Sequence, residues 1–385
     1  MTTKSLSAKK KTAKKRATKK IEVAEKSRTK TGKLRTKTTI SDVAREAGVA
    51  QMTVSRVVNG GSYVSAEVRK RVEQAIARLG YHPNEAARIL KGQRARTIGL
   101  IVPTLADAFF SACAHAVQQV ASSHGYMTLI QTSDSHAEVE THEIDMMIAR
   151  NVSGLILIPM ERKVSPRLLA AEAAGIPLVT LDRVVTGLSA SEVLVENAAG
   201  AEEGVRHLLD HGHERIACLG YDTDLYSIHE RIAGYTEAMK AARRRPILWK
   251  VDAAHSIAQL LERKLGGREA PTALFALNNV TTIHALHALE QMGISIPKDI
   301  ALVGFDDLEL ASLLRVPVTA VRQSARELGV RGAALMFDLI RKGVESSAKE
   351  EQRGTTRLIL PTELVIRNSC GCKTNLRDVP LPSSR

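Results

Sequence analysis

Gln51, Met52, Ser55 and Arg56 set an amide, a thioether, a hydroxyl and a guanidinium within six residues. Groups of these types can hydrogen-bond to, or pack against, base edges in the DNA major groove. Their placement follows from the segment TISDVAREAGVAQMTVSRVVNG over residues 39–60. Ile40, Val43, Ala44 and Ala47 recur at helical spacing, and Gly48 breaks the run. Val49 fills the turn, and a second helix is expected from Ala50 to Asn59 with Val54, Val57 and Val58 inward. Helix-turn-helix units present the N-terminal part of such a second helix to the bases. Thr39 and Asn59 bracket the pair and join the candidate DNA contacts. Thr53 and Ser55 suit backbone contacts that fix register.

A second group of polar side chains stands where short apolar runs end. Asp182 and Arg183 follow IPLVTL, Arg231 precedes IAGY, Asn278 follows TALFAL, and Asp306 lies in GFDD. Carboxylates and amides exchange hydrogen bonds with hydroxyls, and an arginine can fork two of them. Phe109 and Phe110, after the first apolar run, could stack on a sugar or base face. Asp306 could instead cap a following helix, and Phe110 could be plain core. His229 reads as a structural, hydrogen-bonding histidine. Enzymatic motifs are missing: there is no glycine-rich phosphate loop, GxSxG elbow or HExxH pair. Cys370-Gly-Cys372 by itself falls short of the four ligands a zinc site normally takes. No metal, no cofactor and no catalytic residue is therefore expected.

These residues need elements to position them. A third helix, capped by Ser65 and striped by Val68, Val72, Ile76 and Leu79, ends at Gly80, so three helices make a small all-α head over 39–82. Residues 83–96 form a polar linker with Ala86, Ala87, Ile89 and Leu90 as its apolar members. From Thr97 the texture changes to short β-rich runs: IGLIV, YMTLIQ, GLILIP, IPLVTL, RIACLG, TALFAL and IALVGF. Amphipathic stretches around 109–123, 137–150, 198–211, 229–242, 254–265 and 280–292 separate them. Such alternation means an α/β fold with parallel sheets and right-handed crossovers. So many units predict two sheets, with a ligand cleft at the carboxyl ends of their strands.

The net charge of +14 sits almost wholly in residues 1–38, where fifteen Lys and Arg face only Glu22 and Glu25. That tail is expected to be disordered alone and to add salt-dependent phosphate contacts without reading sequence. No apolar h-region follows it, so it is not a secretory signal. No apolar run approaches the ~20 residues of a membrane span. Four cysteines, dispersed except for the last pair, suit free thiols in a reducing cytoplasm.

In order and spacing, DVAREAGVAQMTVSRVVNG, VSAEVRKRV, YHPNEAARIL, IGLIVP, TLDR, HGHERIACLG, RIAGY, GFDD and LPTELVIRNS resemble the LacI/GalR family of bacterial transcription repressors. The resemblance spans about residues 39–370. It implies a head, a hinge helix over 83–96, and a two-subdomain core of periplasmic-binding-protein type over 97–370, with a tail at 371–385. It further implies a homodimer on double-stranded DNA carrying a pseudo-palindromic operator, with affinity set by a small effector, a sugar by family base rate. Gln51 and Met52 fall where the family varies its base readers, and Arg56 matches the arginine of its TVSRVVN motif. Met52 could touch phosphate alone. Ala50 departs from the usual serine. Leu90 aligns with the leucine that wedges into the minor groove, supported by Asn84, Ala87 and Lys91. Asp182, Arg231, Asn278 and Asp306 match effector-pocket positions. Glu196-Asn197 and Asn278-Asn279 stand where Asp-Asn and Asn-Asp pairs are usual, so the effector need not be that of any well-known member. The last residues carry no heptads, which predicts a dimer and not a tetramer. The rival is a nucleoid-like protein that binds any duplex through its tail.

Overall fold

The computed structural model describes residues 38–58, 63–81, 94–252, 255–267, 269–345 and 354–372. Asn59, Asn84, Ala87, Leu90 and Lys91, the linker over 83–93 and both terminal tails lie outside the described residues. The chain divides into two units, residues 1–87 and 88–385.

In the first unit, α1 (Ile40–Ala47), α2 (Gln51–Val58) and α3 (Ala66–Leu79) enclose Val43, Ala44, Ala47, Val54, Val57, Val72 and Ala75. Thr39 caps α1 through a reciprocal capping box with Asp42. Gly48 then turns the chain at φ 65, the left-handed backbone a glycine adopts without penalty. Ser65 caps α3 and Gly80 ends it, as the sequence predicts.

The second unit holds two six-stranded sheets. The first is built from β1 (Thr97–Val102), β2 (Met127–Thr132), β3 (Gly154–Leu157), β4 (Leu178–Leu181), β5 (Ser191–Val195) and β11 (Arg357–Leu360), in the order β11-β5-β4-β3-β1-β2 and wholly parallel. The second contains β6 (Ile216–Tyr221), β7 (Ile247–Val251), β8 (Ala273–Ala276), β9 (Ala301–Phe305), β10 (Thr319–Arg322) and β12 (Glu363–Val365), in the order β12-β10-β9-β8-β6-β7. Only β12 runs antiparallel, against β10. The inner strands are buried except for half-buried end residues of β1, β6 and β10, as parallel strands covered on both faces should be.

Helices α4 (Ala108–Ser123), α5 (Ala137–Ala149), α6 (Pro166–Ala173) and α11 (Ala325–Glu345) serve the first sheet. Helices α7 (Asn197–Asp210), α8 (Tyr226–Ala241), α9 (Ile257–Leu265) and α10 (Asn279–Gln291) serve the second. The chain therefore passes between subdomains three times: β5 into α7, β10 into α11, and β11 into β12. Each subdomain uses glycine for a close helix crossing. A methyl at Gly234 in α8 would strike the Ala198 carbonyl of α7, and one at Gly329 in α11 would strike the Cys113 carbonyl of α4. The six amphipathic stretches appear within a few residues of their expected bounds. Five strands (β5, β7, β10, β11 and β12) and two helices (α6 and α11) are additions to the sequence reading.

Candidate functional site

The head presents one polar face of α2. Val54 and Val57 turn inward, while Gln51, Met52 and Arg56 are exposed and Thr53 and Ser55 half-buried. Met52 keeps 65% of its surface open and stands beside Gln51 at the start of α2. Gln51 Nε2 donates to Ser41 Oγ at 2.9 Å, which tethers the amide to α1. An amide of this kind has a second N–H donor and an oxygen acceptor besides the bond to Ser41. Ala50 accepts from Thr53 and Val54 through its backbone alone, as expected where the usual serine is absent. The Thr39 hydroxyl donates to Asp42 Oδ2 at 2.7 Å and so serves the cap of α1.

In the second unit, a cleft of about 840 Å³ opens between the carboxyl ends of the two sheets. Phe109, Phe110, Asp182, Arg183, Arg231, Asn278 and Asp306, all the ligand candidates read from the sequence, line it. Asp182 follows β4 and Asp306 follows β9, the same place in each sheet. Both adopt left-handed backbone, at φ 63 and φ 67, which turns their carboxyl groups out of the strand line. Such backbone in a non-glycine residue is costly and gathers at functional sites.

Arg231 is held from several sides. Its Nη1 donates to Leu277 O at 2.8 Å and to Asp306 Oδ2 at 2.9 Å, and its Nε donates to Asn197 Oδ1 at 2.8 Å. The guanidinium lies 3.8 Å from the Phe305 ring centroid. Asp306 also accepts from Gln323 Nε2. Burial raises the Asp306 carboxyl above its ordinary value, and Arg231 and Gln323 offset only part of that. Arg183 Nε pairs with Asp182 Oδ2 at 3.3 Å, while three other buried polar atoms in the lining have no hydrogen-bond partner among the described residues: Asp182 Oδ1, Gln323 Oε1 and Thr223 Oγ1. Buried groups of this kind call for a partner from outside the chain.

A family model for bacterial regulatory proteins of the lacI family matches residues 39–84, and one for a periplasmic binding protein-like domain matches residues 205–370. The HTH-type transcriptional regulator DegA of Bacillus subtilis (strain 168) is 31% identical over 341 residues, covering 86% of this chain and 98% of DegA. The chain belongs to the LacI family. Two solved structures are similar along the same span. One is the lac repressor dimer bound to operator and the anti-inducer ONPF, at 30% identity and a TM-score of 0.72 over 86% of this chain and 99% of that one. The other is the transcriptional regulator CelR–cellobiose complex, at 28% identity and 0.61 over 86% and 99%. This LacI-family chain is a DNA-binding transcriptional regulator with a ligand-binding domain.

Within this LacI-family core the candidates divide by what they touch. Asp306 caps no helix, because a turn follows β9, and its carboxylate faces Arg231 and Gln323. Arg231 spends most of its fork on protein groups, so it positions Asp306 where the sequence suggested a fork for ligand hydroxyls. Asn278 caps α10 by accepting from Thr281 N at 2.8 Å through its Oδ1, and it also lines the cleft. Arg183 donates to Pro159 O at 2.9 Å and holds the end of β3. Phe109 and Phe110 meet edge to face at 5.3 Å, packed on the first core and facing the cleft at once. His229 bonds Asp224 at 2.8 Å. Glu196 is exposed and outside the lining, while Asn197 is buried and orients Arg231. Gln323, Thr223, Ser227 and Asp107 were missed. Gln323 follows a strand too short to stand out, and Asp107 signals only as a helix cap.

The Asn279 departure finds a reason across the cleft. Asn279 Nδ2 donates to both oxygens of Asp107, at 2.9 and 3.0 Å, joining α10 of one subdomain to the cap of α4 in the other. Asn279→Asp is expected to exchange this clasp for two facing carboxylates and to open the cleft. Small-angle scattering should give a larger radius of gyration for the variant at neutral pH, returning toward wild type in acid as the introduced carboxylate takes a proton. An unchanged radius across that range would deny the clasp.

Beneath the lining, burial pushes the Glu140 carboxyl up to about 7, against the opposing pull of the Met160 N–H and Arg183. Its folded pKa lies above its unfolded one, so its stabilising share is complete below about pH 4.5 and is lost as pH rises through about 7. Glu140→Gln keeps an acceptor for Met160 N–H and removes the titration. Between pH 5 and pH 8 the wild type should lose roughly 2–3 kcal/mol more than the variant, by denaturant unfolding at each pH. Parallel profiles would show that Glu140 does not titrate there.

Proposed function

We propose that this regulator is a ligand-controlled repressor that binds a pseudo-palindromic operator as a homodimer and takes a carbohydrate as its effector. Gln51, Met52 and Arg56 read bases, while Thr53, Ser55 and Asn59 fix register on the phosphates, with Thr39 supporting α1. Leu90, with Asn84, Ala87 and Lys91, supplies the minor-groove wedge. The lac repressor's operator-bound dimer supports this reading. A second support is an apolar stripe of Val280 and Ile283 on α10. Leu310 and Leu313 lie in a turn that Arg315 ties to Glu290 of α10 at 3.1 Å, and all four side chains are exposed. A second copy of the chain would cover them. The chain acts in the bacterial cytoplasm under this reading.

The observation that carries the effector class is the set of unpartnered atoms in the cleft. Asp182 Oδ1 and Gln323 Oε1 are acceptors, so they ask for a donor-rich ligand, and Phe109 and Phe110 offer apolar faces beside them. Hydroxyls on a compact ring meet both demands. The cellobiose held by CelR is a ligand of that chemistry. Calorimetric titration with a panel of mono- and disaccharides should find one that binds, and Asp182→Ala should weaken it by roughly 10–100-fold, the worth of a hydrogen bond to a charged group. Binding of nucleobases alone, or sugar binding untouched by Asp182→Ala, would refute the assignment.

A further inference from the structure

His207 and His211 stand one helical turn apart at the end of α7, the i, i+4 spacing that puts two imidazoles on one helix face. The segment after β12 returns to that face and brings Cys370 and Cys372 to it. The ligand atoms of His207, Cys370 and Cys372 all lie within 4.8 Å of one another. His207 Nε2 is 3.7 Å from Cys372 Sγ, and His211 Nε2 is 3.0 Å from the same sulfur. Along the chain these residues are more than 150 positions apart, which is why the CGC motif looked isolated.

We propose that His207, His211, Cys370 and Cys372 form a structural binding site for a thiophilic divalent cation, zinc above all. Zinc bonds of roughly 2.3 Å to sulfur and 2.0–2.1 Å to nitrogen place the corners of a tetrahedral S₂N₂ site about 3.4–3.8 Å apart. The His207–Cys372 distance already falls in that range, and the His211 ring needs to shift by roughly half an ångström. The surroundings prepare the donors. His211 Nδ1 meets the His207 carbonyl at 2.8 Å, so it carries the proton and Nε2 keeps the lone pair on the sulfur side. Thr319 Oγ1 accepts from Arg367 N at 2.9 Å, leaving its hydroxyl hydrogen for Cys370 Sγ at 3.2 Å, a bond that favours thiolate.

On binding, each thiol releases its proton to solvent, and two thiolates balance the two charges of the cation. Cys370 is buried, Cys372 and His207 half-buried, and His211 exposed, so the site has an entry from one side. Four protein donors leave no open position, the pattern of a structural site. Occupied, it would pin the segment beyond β12 to the end of α7.

The test uses the full untagged chain under reducing conditions, with zinc content measured by mass spectrometry after dialysis and cobalt(II) added as a spectroscopic probe. Stoichiometric zinc, a thiolate-to-cobalt charge-transfer band and visible bands of tetrahedral intensity are expected. Cys372→Ser and His207→Ala, chosen because neither side chain is fully buried, should each weaken cobalt binding by roughly 100-fold or more, beyond the usual effect of a supporting residue. Reduced thiols with no zinc and no charge-transfer band would overturn the proposal. Stoichiometric metal that both variants retain with wild-type affinity would overturn it too.

Discussion

Arg231→Ala is expected to lower the free energy of unfolding by roughly 3–5 kcal/mol, the usual effect of removing one member of a buried ion pair. The substitution strands Asp306, the Asn197 carbonyl oxygen and the Leu277 carbonyl in a buried setting, and it also strips the cation from the face of Phe305. Effector binding should vanish as well, because Asp306 then loses the partner that fixes it toward the cleft. Arg231→Lys should rescue little, since a single ammonium cannot reach three acceptors spread around a planar fork. Denaturant unfolding checks the first effect and calorimetry with the identified effector checks the second. A change under about 1 kcal/mol with intact effector binding would mean that the arginine network holds nothing in place.

The second large effect belongs to the head. Gln51→Ala combined with Arg56→Ala should remove roughly 2–6 kcal/mol of discrimination between operator and scrambled duplex, each bidentate base contact contributing about 1–3. Both side chains are exposed while Val54 and Val57 carry the packing of α2, so the thermal midpoint of the head should hardly move. Affinity for scrambled duplex should also change little at fixed salt, apart from one lost cation. If discrimination survives the double substitution, the bases are read from elsewhere.

Much of this architecture is written in short-range patterns. The head was legible because its signals are local: Val43 to Ala47 at helical spacing, a glycine at the left-handed turn, and Ser65 before a striped helix. The central strands were legible because burial on both faces makes them continuous apolar runs, as in GLIL and LVTL. The strands that went unseen are of other kinds. ILWKV and RLIL lie at sheet edges and alternate between covered and open positions, TAVR is four residues long, and SEVLV carries the charged Glu192 at its second position. Their membership depends on which sheet each chain crossing enters, and that is a long-range decision.

The ligand candidates were found because strand ends in an α/β sheet are a place the pattern predicts. Their division of labour was not. That Arg231 serves Asp306, that Asn279 answers Asp107 from 172 residues away, and that His207 meets Cys370 are facts of three-dimensional closure. No spacing along the chain encodes them.

The most direct test of the regulator assignment is selection of duplexes from a random library by the full chain at near-physiological salt, read out by sequencing. The expected result is an inverted repeat of two half-sites about a central flexible pyrimidine–purine step, the footprint of two heads related by a two-fold axis. Recovery without sequence preference would contradict it, and would leave the lysine-rich tail as the only part of the chain engaging DNA.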